Sequence, residues 1–272
     1  MYRGFQIGAS DVENNLLTDS KINWDVKVKA FEEKMQLIRS KVNLDIVESS
    51  GFEALDGSID AGKLVRHWFP VSEYDVFLSH SHLDKDSAVR FAVWLQEYLG
   101  LRVFVDSTVW GYSYDLLRKL DDKYCYQSAS QTYSYEKRNE TTSHVHLMLA
   151  MALQEMINKS ECFVFFKSEN SFSLSIQQES QTKSPWIFEE LKTTSIIHKI
   201  VPERFLLKKQ IETRDRAGVF ARGKINVNYP INDDLNKLGN LTWKYLMMAA
   251  TTRRVTPKLL GLDAIYQIVS TQ

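Results

Sequence analysis

The chain is poor in cysteine and carries no excess of either charge, and each shortage removes a class of protein. Cys125 and Cys162 are its only cysteines in 272 residues, too few for the disulfide framework of a small secreted scaffold. Neither has His or Cys at ligand spacing, so no zinc site is expected, and Cys162, opening an apolar strand, reads as a small core residue. Lys plus Arg and Asp plus Glu both total 34, so no global field draws the chain to nucleic acid or an anionic membrane. Runs of about 18 apolar residues are absent, and Met1-Tyr-Arg-Gly-Phe-Gln6 lacks the apolar core of a secretion signal. The expectation is a soluble, cytoplasmic protein with reduced thiols. No Gly-x-Gly-x-x-Gly and no phosphate-loop lysine motif occurs, which disfavours a redox dinucleotide fold and a nucleotide triphosphatase. His144 and His146, two apart at a helix start, do not share a helical face and suggest no metal site.

What is present is a large core-forming fraction, 44% hydrophobic, enough for one large domain or one domain with an appendage. Trp24, Val28, Phe31, Met35, Ile38 and Val42 recur at spacings of four and three between charged residues, the pattern of an amphipathic helix. Gly51–Ser58 reads as a connection and Ala61–Trp68 as a short helix stopped by Pro70. Residues 1–70 are therefore read as an N-terminal helical extension, and 71–272 as the main domain. From Tyr74 onward strands alternate with helices: Tyr74–Ser79, a helix to Leu99, Arg102–Asp106, helices near Tyr114–Lys123 and Val145–Asn158, Cys162–Lys167, and a helix over Pro185–His198. That alternation predicts a doubly wound, mainly parallel α/β sheet flanked by helices. Two polar insertions interrupt it, near 124–143 and 168–184, and the second is either a functional lid or a surface loop. The C-terminal end is read as a strand near Lys224–Asn228 and helices near Asp233–Met248 and Pro257–Val269.

Two places carry chemistry. Tyr74-Asp-Val-Phe-Leu-Ser-His-Ser-His-Leu-Asp84 runs a strand covered on both faces into hydroxyls, imidazoles and a carboxylate, with Asp84 or Asp86 to cap the following helix and Gly100 to end it. Ligands of open α/β sheets bind beyond the carboxyl ends of strands, which singles out Ser79, His80 and Ser81 against the simpler reading of a polar turn. On the later helix, capped by Ser184 with Pro185 at its first position, Trp186, Ile187, Leu191 and Ile197 span an apolar arc. Glu190 falls inside that arc, whereas Glu189 does not. A carboxylate on an apolar face costs several kcal/mol, roughly, unless it is paired or faces a solvated pocket. Glu190 is thus a candidate functional group, the alternative being a salt bridge with Arg90, Arg102 or Arg118.

Three stretches in this order resemble the Toll/interleukin-receptor (TIR) domain family. They are Tyr74-Asp-Val-Phe-Leu-Ser-His-Ser, Val103-Phe-Val-Asp106-Ser-Thr-Val-Trp110-Gly111 and Ser184-Pro-Trp186-Ile-Phe-Glu-Glu190-Leu, and the resemblance covers about residues 73 to 200. It implies a TIR/flavodoxin-like sheet and, as in many bacterial members, an enzyme that breaks the nicotinamide–ribose bond of NAD with no cofactor beyond that substrate. The glutamate four residues after a tryptophan is the catalytic residue of such members, here Glu190 after Trp186. The family's pocket maps onto Ser79, His80, Ser81, Asp106, Trp110 and Gly111. Either Trp110 or Trp186 stacks on a substrate ring or belongs to the core. The resemblance further implies self-association through TIR surfaces and, as in Thoeris-type antiphage defence, a diffusible ADP-ribose-derived nucleotide acting on a separate effector. The rival readings are a non-enzymatic TIR adaptor and a nucleoside deoxyribosyltransferase-like enzyme.

Overall fold

A computed structural model describes residues 1–16, 23–40, 58–110, 113–174, 178–205 and 228–270. Val42, most of the Gly51–Ser58 connection, Gly111 and most of the expected strand Lys224–Asn228 lie outside the described residues. The chain divides into two units, the first formed by Met1–Trp24, Glu73–Val105 and Ile157–Gln272, the second by Asp25–Ser72 and Asp106–Met156.

The first unit is built on a strand that the sequence reading placed in a helical extension. Arg3–Gly8 (β1) pairs with Cys162–Lys167 (β6) along its whole length and, on its other side, with Gly239–Asn240 (β10). With Val76–Ser79 (β2) and Val103–Phe104 (β3) the order is β10-β1-β6-β2-β3, every neighbouring pair parallel. Arg3–Gly8 is therefore an inner strand of the sheet, and the expectation of a helical extension over 1–70 is corrected for its first sixteen residues: β1 runs straight into the helix Ala9–Leu16 (α1). The strand gave little periodic signal because it is six residues long and carries Arg3, Gly4 and Gln6 among its apolar positions. Gly4 lies against Leu238, and a Cβ there would stand 2.6 Å from Leu238 Cδ2, so that side chain would have to shift.

β2 and β6 are buried on both faces, as their lack of polar alternation predicts for central parallel strands. Phe77 stacks on Phe163 at 5.6 Å, and Phe91 of the helix Lys85–Leu99 (α4) lies 5.9 Å from Phe166. Ala88, Phe91, Ala92, Leu95 and Leu99 all face this core. Gly100 ends α4 in the left-handed region, φ 64°. The one polar residue leading into β2, Asp75, accepts from the Arg102 backbone N–H (2.7 Å) and guanidinium (3.0 Å). Cys162 is in the core, where burial pushes its thiol well up.

Beyond β6 the Ser-rich stretch is not a structureless loop. Ser173–Leu174 (β7), Ser180–Thr182 (β8) and Tyr229–Pro230 (β9) form a small antiparallel sheet that leads into Pro185–Ile196 (α8). The helix expected near Asp233–Met248 is broken: Asn232–Asn236 (α9) stops, β10 pairs with β1, and Thr242 caps a new helix, Trp243–Val255 (α10). Gly261–Ser270 (α11) follows.

In the second unit, Phe31 and Met35 of the amphipathic helix Trp24–Ser40 (α2) are buried. Ala61–Trp68 (α3) forms as expected, with Asp60 accepting from the Lys63 N–H. After Asp106–Val109 (α5) and Ser113–Tyr124 (α6), the polar stretch 124–143 becomes a hairpin, Tyr126–Gln127 (β4) with Thr132–Tyr133 (β5), and then the first part of a 25-residue helix, Tyr135–Lys159 (α7). The sequence showed no period there because much of that stretch is exposed.

Candidate functional site

Strand order marks the end of the sheet at which open α/β folds bind ligands, before any side chain is considered. Among the described strands, the chain goes from β2 to β3 at one edge and from β6 next enters this sheet as β10, at the other edge. β2 and β6 are neighbours whose onward connections diverge, the arrangement that opens a cleft at the carboxyl ends of parallel strands. Ser79 is the last residue of β2 and pairs with Phe165 of β6; the helix that follows β6 in sequence, after the β7–β8 hairpin, is α8, which carries Glu190.

Ser184 caps α8 by accepting from the Ile187 N–H, and Pro185 takes the first helical position, where its missing N–H costs nothing. That start sets the rotation of the helix. Ile187, Leu191 and Thr194 face the interior together with Glu190, which is 4% exposed, while Glu189 is half-buried. Trp186, one turn ahead of Glu190, is half-buried as well. Ser79 Oγ, on a residue 1% exposed, donates to Glu190 Oε2 at 2.5 Å across 111 residues of sequence. A hydrogen bond of this kind contributes about 0.5–1.5 kcal/mol, which offsets part of the cost of burying the polar group.

The residues after Ser79 shape the turn. His80 is buried, its Nδ1 3.2 Å from the Leu78 carbonyl. A carbonyl only accepts, so in the neutral ring Nδ1 carries the hydrogen and Nε2 is the acceptor. Ser81 accepts from the Leu83 N–H and caps a single tight turn, His82–Asp84. On the far side of α8, Asp234 of α9 accepts from Lys192 Nζ (3.0 Å) and Ser195 Oγ (2.7 Å), bracing the helix. Arg102 and Arg118, considered as partners for Glu190, form ion pairs with Asp75 and Asp115 respectively.

The expected site residues separate into two groups. Ser79, His80, Ser81, Trp186 and Glu190 belong to the first unit, and Ser79 and Glu190 are brought into direct contact. Asp106 and Trp110 belong to the second unit. Asp106 opens α5, and its carbonyl accepts from the Trp110 N–H. Trp110 is 4% exposed, donates Nε1–H to the Pro70 carbonyl at 3.2 Å and packs edge-on against Phe69, so its ring is an interior wall of that unit. Residues the sequence reading passed over are Ser168, Asn170, Ser171 and Thr182, which link the segment after β6 to Asp84 and to the cap of α8. Their only signal was the density of hydroxyls in the stretch 168–184. Elsewhere, an apolar groove of about 430 Å³ on α10 and α11, lined by Met247, Met248 and Ile268, has Lys244 as its one titratable side chain and offers no set of reacting groups. Among the described residues no group of three or more His, Cys, Asp or Glu is arranged to hold a metal, and no helix is long and apolar enough to cross a membrane.

Compared with family models, with curated proteins and with solved structures, the chain matches none.

Proposed function

We propose that the protein is a TIR-type NAD glycohydrolase or cyclase in which Glu190 is the catalytic residue. The observation that supports this reading is the buried carboxylate of Glu190, held by Ser79 at the carboxyl end of the sheet beside the divergence of β2 and β6. The chemistry suits a single carboxylate. Nicotinamide departs from a positively charged pyridinium as a neutral base, so no general acid has to protonate it, unlike ordinary glycoside hydrolysis with its two carboxyl groups. The bonding pair leaves with the pyridine nitrogen, and the ribose carbon becomes electron-deficient. An ionised Glu190 holds the ribose hydroxyls and stabilises the developing oxocarbenium ion. Water attacking that carbon and losing a proton gives ADP-ribose; a nucleophile within the same molecule gives a cyclic nucleotide. In this reading Trp186, partly open to solvent one turn from Glu190, flanks the reacting sugar. In this reading the enzyme acts in the cytoplasm, self-associates, and its product is a diffusible signal for a separate effector in antiphage defence.

The test incubates the purified chain with NAD, with and without a crowding agent that promotes assembly, and follows nicotinamide release and product identity by chromatography. Glu190→Gln, nearly isosteric and uncharged, is expected to lose on the order of 10² or more in kcat while keeping its melting temperature. Equal turnover by folded mutant and wild type would falsify the assignment. Base release from nucleosides in place of NAD would point to deoxyribosyltransferase-like chemistry, and no turnover of either to an adaptor.

A further inference from the structure

Asp84 stands at the N-cap position of α4 and makes no capping hydrogen bond there. An aspartate so placed ordinarily accepts from the first turn of its helix and contributes about 1 kcal/mol. Both oxygens of Asp84 are turned elsewhere: Oδ1 accepts from Asn170 Nδ2 at 2.7 Å, and Oδ2 accepts from Ser168 Oγ. Ser168 is the first residue after β6, and its Oγ also accepts from the N–H groups of Asn170 and Ser171. The Ser168 N–H donates to Ser171 Oγ at 2.8 Å. The Ser171 carbonyl accepts from Thr182 Oγ1 at 2.9 Å, and Thr182 Oγ1 accepts from the Ser184 N–H at 3.2 Å. Ser171 and Thr182 are both buried, so water does not compete for these bonds. A continuous series of hydrogen bonds thus runs from the turn after β2, through the segment after β6, to the cap of the helix that bears Glu190.

We infer that Asp84 is a positioning residue for Glu190. β2 and α8 are joined twice, directly by Ser79–Glu190 and indirectly through Asp84, and the indirect path determines where α8 begins and therefore where the carboxylate stands. A local cap has been given up for two bonds to residues 84 and 86 positions away, which the stability of α4 does not require. Removing the Asp84 carboxylate leaves the Ser168 hydroxyl and the Asn170 amide without that acceptor, and the segment entering α8 relaxes. Catalytic geometry is sensitive to such shifts, a misplacement of about 1 Å costing up to about 10²-fold. The inference rests on the proposed role of Glu190.

The experiment compares the full chain with Asp84→Ala, Asp84→Asn and Ser168→Ala by backbone hydrogen exchange without NAD and by the kinetics of nicotinamide release. Asp84→Ala is expected to speed exchange in segments 168–174 and 184–191 and leave α10 and α11 unchanged. Its kcat falls on the order of tenfold or more with KM changed by less than about threefold. Asp84→Asn, which keeps one acceptor oxygen, recovers most of both. Unchanged exchange over 184–191, or a loss confined to KM, overturns the inference. If the wild type releases no nicotinamide, the enzymatic reading falls, while the exchange data still decide whether Asp84 sets the start of α8. Should Asp84→Ala fail to fold, Ser168→Ala removes one hydroxyl and carries both readouts.

Discussion

Glu190 and Ser79 illustrate what a single side chain can decide. A carboxyl group 4% exposed on the buried face of a helix needs hydrogen-bond partners, and Ser79 supplies one from the end of a central strand. On the proposed function, Ser79→Ala, which removes a buried hydrogen bond of about 1.5 kcal/mol, is expected to lower kcat for nicotinamide release by about tenfold. Ser79→Thr, which keeps the hydroxyl, should retain most activity, and equal rates for the alanine variant and the wild type would remove the hydroxyl from the account. Each partner was legible alone, Glu190 from its place in a helical arc and Ser79 from the strand it ends. Their contact was not, because 111 residues separate them and no local pattern records a long-range pair. Trp110 shows the converse. An indole after a strand has the same signature whether it lines a pocket or a core, and only the Pro70 and Phe69 contacts place it inside the second unit.

At the scale of elements, helices with buried faces and good ends were readable to within a few residues. The helix α4 was marked by its buried series and by Gly100, and α8 by Ser184-Pro185. Gly100→Ala is expected to destabilise the fold by about 1–2 kcal/mol, read as a lower thermal midpoint, because φ 64° disfavours a Cβ and that Cβ would meet the Arg253 guanidinium. An unchanged midpoint would mean the C-terminus of α4 shifts freely. Elements lacking an apolar stripe were not readable. The first part of α7 and the β4–β5 hairpin are largely exposed, and β7 to β9 are two or three residues long, so their pairing is chosen by neighbours and not by intrinsic preference.

For the whole molecule, the decisive feature is that the first strand lies inside the sheet. A chain beginning at residue 17 loses β1, leaving β6 and β10 without the neighbour they share. It is expected to show no cooperative thermal transition and to bind a hydrophobic dye, whereas an appended helical segment could be removed with the melt intact. The same topology sets the switch point at which such sheets bind ligands, since the divergence of β2 and β6 exists only once β1 and β10 occupy the opposite side of the sheet.

The amino-acid order by itself determined the α/β class, the buried character of β2 and β6, the ends of α4 and α8, and the odd placement of Glu190. These depend on residues within a turn or two of one another. Only the tertiary structure decided that Arg3–Gly8 is a sheet strand, that Ser79 holds Glu190, and that Asp84 bonds across to Ser168 and Asn170 and caps nothing. Those outcomes depend on which distant segments pack together, a choice made by the burial of the entire core and therefore written in no single stretch of the chain.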